Sequence, residues 1–343
     1  MSGGTVSTYA IASGANQIST ITTGSSVRTF GYLASGQVSG DQRTATSDYT
    51  FAYNNDGRMQ TASLNSSGVG SYVYNGFEQR AQKTVGSAVT DFIFDRFGHL
   101  LAEANDATGA MLREYIWLDN RPVAMVDDTG ASPVVYYVHT DQLGTPQKIT
   151  DGSADVVWDG VFDPFGNMVT STGANWGTGV WLSFTWEPTT PQTMPLRFPG
   201  QYADSETALN QNWNRDYDPT VGRYIESDPI GLDSGINTYT YAMNNPLSYS
   251  DLSGTDPFGF AIGGPWGGLL GDLLQLYLNA ATSSGVCYKS PKQCEIQYDN
   301  DSEICRYLPT NGARGRCWES AAERQAHCIQ TNGEVGWPPL ITQ

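Results

Sequence analysis

The sequence predicts a mainly β chain that ends in a small, helical, cysteine-rich tail. Three observations carry that expectation. The composition is aromatic and turn-rich, with 38 glycines, 19 tyrosines and 9 tryptophans but only 15% charged residues. A short unit, an aromatic residue followed by a glycine-bearing turn, recurs through much of the chain. All five cysteines (Cys287, Cys294, Cys305, Cys317 and Cys328) lie near the C-terminus, and none precedes them.

Aromatic residues suit pleated strands and frequent glycine suits tight turns, so a helical bundle or a disordered chain is disfavoured. At 343 residues the chain can bury a sizeable core. Its net charge of −17, carried mostly before residue 256, argues against nucleic-acid binding by the body, which would need a basic stripe. Met1-Ser-Gly-Gly-Thr5 opens a polar stretch without the basic start and apolar run of a signal peptide. The apolar stretch from Phe258 to Leu278 is broken by glycines, Pro265, Asp272 and Gln275, so no stable membrane span is expected.

The recurring units begin at Tyr53, Tyr74, Phe94, Trp117, His139 and Phe162, with turns such as Asn54-Asn-Asp-Gly57 and Asp95-Arg-Phe-Gly98. A period of this length holds two short strands and two turns, with glycine supplying the positive φ that hairpins need. The runs between turns, including Thr90-Asp-Phe-Ile-Phe94 and Val134-Val-Tyr-Tyr-Val138, are β-branched and aromatic. Periodicity alone also fits an ordinary β-sandwich.

The residues add more. The pattern resembles the YD repeats of the Rhs family, which includes bacterial polymorphic toxins and the C subunits of insecticidal Tc toxins. The resemblance covers roughly residues 5–254. It is sharpest at His139-Thr-Asp-Gln-Leu-Gly-Thr-Pro146, Leu196-Arg-Phe-Pro-Gly-Gln-Tyr202 and Arg215-Asp-Tyr-Asp-Pro219. Gly222-Arg-Tyr-Ile-Glu-Ser-Asp-Pro-Ile-Gly-Leu232, followed by Asn237-Thr-Tyr-Thr-Tyr241 and Asn244-Asn-Pro246, is similar to the family's Rhs-associated core. The resemblance implies a β-spiral shell segment closed by that core, with a variable C-terminal effector as cargo. The chain looks like the C-terminal part of such a shell. The expected divisions are a repeat segment over 1–221, a core with an autocleavage motif over 222–255, an apolar Gly-rich linker or helix over 256–285 and a Cys-rich helical hairpin over 286–343.

Within the core, Asp228 and Asp251 match aspartates that the resemblance identifies as the pair of an aspartyl autoprotease. One carboxylate activates water while its protonated partner polarises the scissile carbonyl, and two close carboxyl groups divide those roles naturally. Both residues also suit plain turns, since each precedes a glycine by three positions. The second motif reads Asp251-Leu-Ser-Gly-Thr255 where the family has proline after the aspartate and Leu or Met after the glycine. The expected cut is near Thr255, among Gly254, Thr255 and Asp256. Arg223 matches the family's Gly-Arg-Tyr arginine and is a candidate to orient a dyad carboxylate, or to form an ordinary strand salt bridge. His139 reads as a turn residue. No phosphate loop, nucleophile elbow or metal-ligand spacing is present, so neither a cofactor nor a metal is expected.

In the tail, residues 265–281 read as a short buried helix, with membrane activity as the sharper alternative. Cys294 and Cys305 are 11 residues apart, as are Cys317 and Cys328, close to three helical turns. Two antiparallel helices would join Cys294 to Cys328 and Cys305 to Cys317, a geometric preference among three connectivities. Free thiols or a metal site remain rivals, although the steps lack two-residue metal knuckles. Glu319, Glu323, Arg324 and His327 fit either an acid–base cluster or a solvated face.

The reading that follows is the C-terminal part of a secreted Rhs polymorphic toxin, delivered to the outside or the cell surface without a recognisable signal peptide. Its expected partners are its own tail as cargo, the preceding shell repeats or a delivery apparatus, and a cognate immunity protein. The alternatives are a non-enzymatic surface adhesin that binds carbohydrate or neighbouring cells, and an inactive orphan tip.

Overall fold

The computed structural model describes residues 6–12, 15–171, 192–255, 259–260, 298, 305, 316–317 and 319–325. Two compact units divide the chain, Met1–Gly271 and Asp272–Gln343.

The first unit is built on one antiparallel sheet of 16 strands, β1 (Ser7–Ile11) to β16 (Met168–Ser171), each paired with its neighbour in sequence. One kind of turn recurs along one end of this wall, and its cause is local. In the turn joining β5 (Ser47–Tyr53) to β6 (Met59–Leu64), Asn54 Oδ1 accepts from the amides of Asp56 at 3.0 Å and Arg58 at 2.9 Å. Asn75, Asp95, Asp141 and Asp163 repeat that bonding two and four residues ahead. The residue three positions after the cap needs positive φ, supplied by glycine at Gly57, Gly98, Gly144 and Gly166.

Three aromatic residues at the ends of strands leading into turns tie neighbouring repeats together. Tyr53 donates its hydroxyl to Val38 O at 2.7 Å, Tyr74 to Met59 O at 2.8 Å, and Trp117 Nε1 to Leu100 O at 2.8 Å. Each bond reaches back to the start of the preceding strand pair and satisfies a carbonyl where the ladder shifts register.

Strand alternation buries one face of the wall. Tyr49, Phe51, Met59, Ala62 and Tyr72 pack with Leu209 and Ile225, while Leu100, Tyr115, Met125, Ile149 and Trp158 pack with Leu196 and Tyr202. Tyr202 and Leu209 belong to a second sheet of four strands, β17 (Gln201–Asp204), β18 (Leu209–Asn212), β19 (Arg215–Asp218) and β20 (Arg223–Tyr224), while Leu196 and Ile225 flank it in the chain. Buried ion pairs fasten this core sheet to the wall. Arg80 pairs with Asp204, Lys83 with Asp204 at 2.9 Å, and Arg28 with Asp218. Phe198, Tyr217, Tyr224 and Tyr241 form an aromatic cluster on the core's other side. A short pair follows, β21 (Tyr249–Ser250) with β22 (Gly259–Phe260).

In the second unit, the described residues are helical, and Cys305 is joined to Cys317 with their Cα atoms 5.3 Å apart. Ala321 and Tyr298 pack on that bridge. Cys287, Cys294, Cys328, His327 and the predicted helix over 265–281 lie outside the described residues. Among the described residues, no helix is long and apolar enough to cross a membrane.

Candidate active site

The core sheet places an arginine between two acids. In the β19–β20 hairpin, Asp218 Oδ1 accepts from the Thr220 amide at 2.9 Å and Gly222 takes a positive φ, so the turn is fixed by its own residues. Arg215, at the start of β19, is thereby directed inward. Its Nη2 lies 2.7 Å from Asp228 Oδ2 and 3.2 Å from Asp251 Oδ2. The two acids are 23 positions apart in the chain, yet they share one guanidinium nitrogen, so their oxygens are separated by no more than the sum of those two contacts. Arg215, Asp228 and Asp251 are 2%, 4% and 1% exposed.

The remaining donors of Arg215 are also used. Nη1 donates to Thr238 O at 3.0 Å, Nε donates to Gly254 O, and the guanidinium stacks on the Tyr224 ring at 3.6 Å. Holding both edges and one face of the fork leaves it little freedom.

Each acid is also the cap of its own turn, so turn and site are one structure. Asp228 Oδ1 accepts from the Ile230 amide at 3.0 Å. Asp251 Oδ1 accepts from the Thr255 amide at 3.2 Å, while Asp251 Oδ2 takes the Tyr224 hydroxyl at 2.8 Å. Asn212 Nδ2 donates to the Tyr224 oxygen at 2.6 Å and to Asp251 O at 2.8 Å. Burial, followed by the charge of Asp251, pushes the Tyr224 hydroxyl well above its ordinary value, so it remains a donor.

The segment leading to the expected cut is held tightly. Asn214 donates to Ser253 O from its amide at 3.1 Å and from Nδ2 at 3.0 Å. Gly254 has φ +69°, and a Cβ there would sit 2.4 Å from Asn212 O. Gly254 and Thr255 therefore lie beside the acids. Asp256 is outside the described residues.

Arg223 is placed elsewhere. Its Nη2 donates to Asn16 O at 2.6 Å and its guanidinium lies over the Tyr239 ring, 4.7 Å from the centroid. The arginine between the acids is Arg215, eight positions earlier, because register pairs Asp218 with Arg223 and points the latter at the opening strands. Tyr224 and Asn212 were not expected at the site either. Arg215 and Tyr224 do stand in the Arg-Asp-Tyr-Asp-Pro and Gly-Arg-Tyr motifs, so a signal existed for both. His139, on β13 (Val134–Thr140), lies far along the chain from this cluster and contacts Thr150 Oγ1 at 3.0 Å.

An open wall of aromatic–Asx repeats, carrying a core with two acids and a shared arginine, defines the class as a YD-repeat β-shell protein. The family described as "RHS protein" matches residues 135–172. The chain belongs to the Rhs family. It is 30% identical over 272 residues to "Double-stranded DNA deaminase toxin A" of Burkholderia cenocepacia, covering 66% of this chain and 18% of that protein. It is 35% identical over 133 residues to "Toxin protein Tse5" of Pseudomonas aeruginosa, covering 39% of this chain and 9% of that one. The chain thus spans less than a fifth of the length of either relative. The fold is also similar to the solved structure "Crystal Structure of TcdB2-TccC3-TEV", with a TM-score of 0.51 at 16% identity over 72% of this chain and 13% of that one.

Proposed function

We propose that the chain is the C-terminal part of a secreted Rhs toxin whose core cuts its own backbone near Thr255, freeing the following segment as cargo. The observation that supports this most is the sharing of Arg215 Nη2 by Asp228 and Asp251, next to the Gly254 carbonyl held by the same guanidinium. One buried cation balances one carboxylate, so such a site is neutral when the second carboxyl group keeps its proton, the combination that general acid–base hydrolysis requires. The carboxylate takes a proton from water as the water attacks the scissile carbonyl, and the protonated partner donates to that carbonyl. As the resulting diol collapses, the newly protonated carboxyl group gives its proton to the departing nitrogen and the partner recovers its own from a diol hydroxyl. The C–N bond breaks, the amine carrying the cargo leaves and the pair is reset. Arg215 fixes the chain one residue before the expected Thr255–Asp256 bond.

The deciding experiment is intact mass of freshly purified protein beside Asp228→Asn. Two fragments meeting near Thr255 in the parent and one full-length species in the variant are expected. A single uncut mass in both removes the self-cleavage reading and leaves the two aspartates as turn caps. Toxicity on expression, relieved by a small partner protein, would separate an effector carrier from an adhesin.

A further inference from the structure

Asp216 and Glu226 make a second carboxyl pair, one that the proposed cleavage does not use. Asp216 lies in β19 and Glu226 two residues after β20, and both are buried. The Asp216 amide donates to Glu226 Oε2 at 2.8 Å, the Ile225 amide donates to Asp216 O at 3.0 Å, and the two carboxyl groups are within hydrogen-bonding reach of each other. Taken as two carboxylates, Asp216 Oδ2 and Glu226 Oε1 each lack a donor among the described residues. A buried acceptor without a donor is costly, and a single proton between the two groups satisfies both.

The nearby donors are mostly committed elsewhere. From the wall, Tyr53 on β5 and Tyr74 on β7 (Ser67–Tyr74) face the pair; each gives its hydroxyl proton to a backbone carbonyl, Val38 O at 2.7 Å and Met59 O at 2.8 Å, and the Tyr53 hydroxyl also borders the Glu226 carboxyl group. Arg58, in the turn before β6, gives its terminal nitrogens to Glu78 O and Trp213 O. Arg80, on β8 (Arg80–Val85), is paired with Asp204 of β17. Arg58 and Arg80 lower the Asp216 carboxyl by their charge, Asp204 raises it, and Tyr53 and Tyr74 border the pair.

We propose that Asp216 and Glu226 share one proton in a clasp that locks β19 to the segment after β20 and so positions Arg215 and Asp228, the neighbours of the pair in the chain. The positioning half rests on the self-cleavage reading, whereas the clasp itself does not. Burial is the main reason the pair keeps a proton. It raises Asp216 to about 6 despite Arg58 and Arg80, and holds Glu226 well above the ordinary carboxyl range. A raised acid binds its proton more tightly when folded, so its stabilisation is complete in mild acid and declines as pH climbs from about 4 through the folded values.

The test uses the full chain with glutamate labelled at its side-chain carboxyl carbon, which separates Glu226 from every aspartate. One glutamate resonance that titrates well above the ordinary carboxyl range and is missing from Glu226→Gln is expected; if every glutamate titrates within that range, the clasp is overturned without any variant having to fold. Thermal midpoints read the same proton. The fall between roughly pH 5 and pH 8 should shrink by about half or more in Glu226→Gln, which keeps an acceptor for the Asp216 amide, and an equal fall would count against the clasp. In protein that cuts itself, the alkaline limb of the cleavage rate should move in Glu226→Gln, and an unmoved limb overturns the positioning half. Uncut parent protein sinks the self-cleavage reading instead, while the glutamate titration still decides the clasp.

Discussion

Tyr224 donates its hydroxyl to Asp251 Oδ2 at 2.8 Å while its ring lies 3.6 Å beneath the guanidinium that contacts the same oxygen. One side chain therefore orients an acid through its edge and an arginine through its face. Tyr224→Phe separates those effects because the ring stays. The loss of two buried hydrogen bonds, to Asp251 Oδ2 and from Asn212 Nδ2, should cost about 1–3 kcal/mol in denaturant unfolding and slow self-cleavage without abolishing it. Unchanged stability and cleavage would mean that Asn212 and Arg215 suffice to hold Asp251.

Arg215 is the only cation with contacts to both Asp228 and Asp251 among the described residues. Arg215→Met removes the guanidinium that both buried acids contact and should cost about 3–5 kcal/mol, with cleavage lost. Arg215→Lys keeps the charge but cannot bridge Thr238 O, Gly254 O and two carboxylates at once, so intermediate stability is expected. Urea unfolding midpoints of the two variants rank them, and equal midpoints would show that geometry matters less than charge.

Gly254→Ala asks the chain for a conformation that side chains rarely adopt and puts a Cβ 2.4 Å from Asn212 O, an atom that cannot move aside without breaking β18. A loss of about 1–3 kcal/mol is expected, with cleavage falling further than stability because the 251–255 turn is displaced from the acids. Intact mass over time, read beside the thermal midpoint, checks this.

Lys83 and Arg80 together hold the Asp204 carboxyl below its ordinary range against the opposing pull of burial. A depressed acid stabilises the fold above the unfolded value, near 4, and loses that contribution as pH falls toward the folded one. Lys83→Met weakens the depression, so acid unfolding should begin at a higher pH than in the parent. The midpoint of acid titration followed by tryptophan fluorescence reports the shift, and a downward shift would contradict it.

The repeat wall was legible because its causes are local. Each cap at Asn54, Asp95 or Asp163 bonds amides two and four residues ahead, so aromatic, Asx and glycine positions announce the turn without the rest of the fold. The acids at Asp228 and Asp251 were legible through their motifs. The choice between Arg215 and Arg223 was not, since both lie in the same hairpin and only register decides which side each faces. The fastening of core to wall was hidden for another reason. Arg80 and Asp204 are 124 residues apart, and nothing local to either marks the other.

The aromatic bonds from Tyr53 to Val38 and from Tyr74 to Met59 span one repeat and no further. Damage to one unit is thereby felt by its immediate neighbours and fades beyond them, as in a row of linked tiles. Wall length is consequently adjustable in whole strand pairs. Splicing out a complete unit leaves every remaining tyrosine a carbonyl to meet and keeps both faces in phase, whereas removing a single strand residue turns the following side chains inside out.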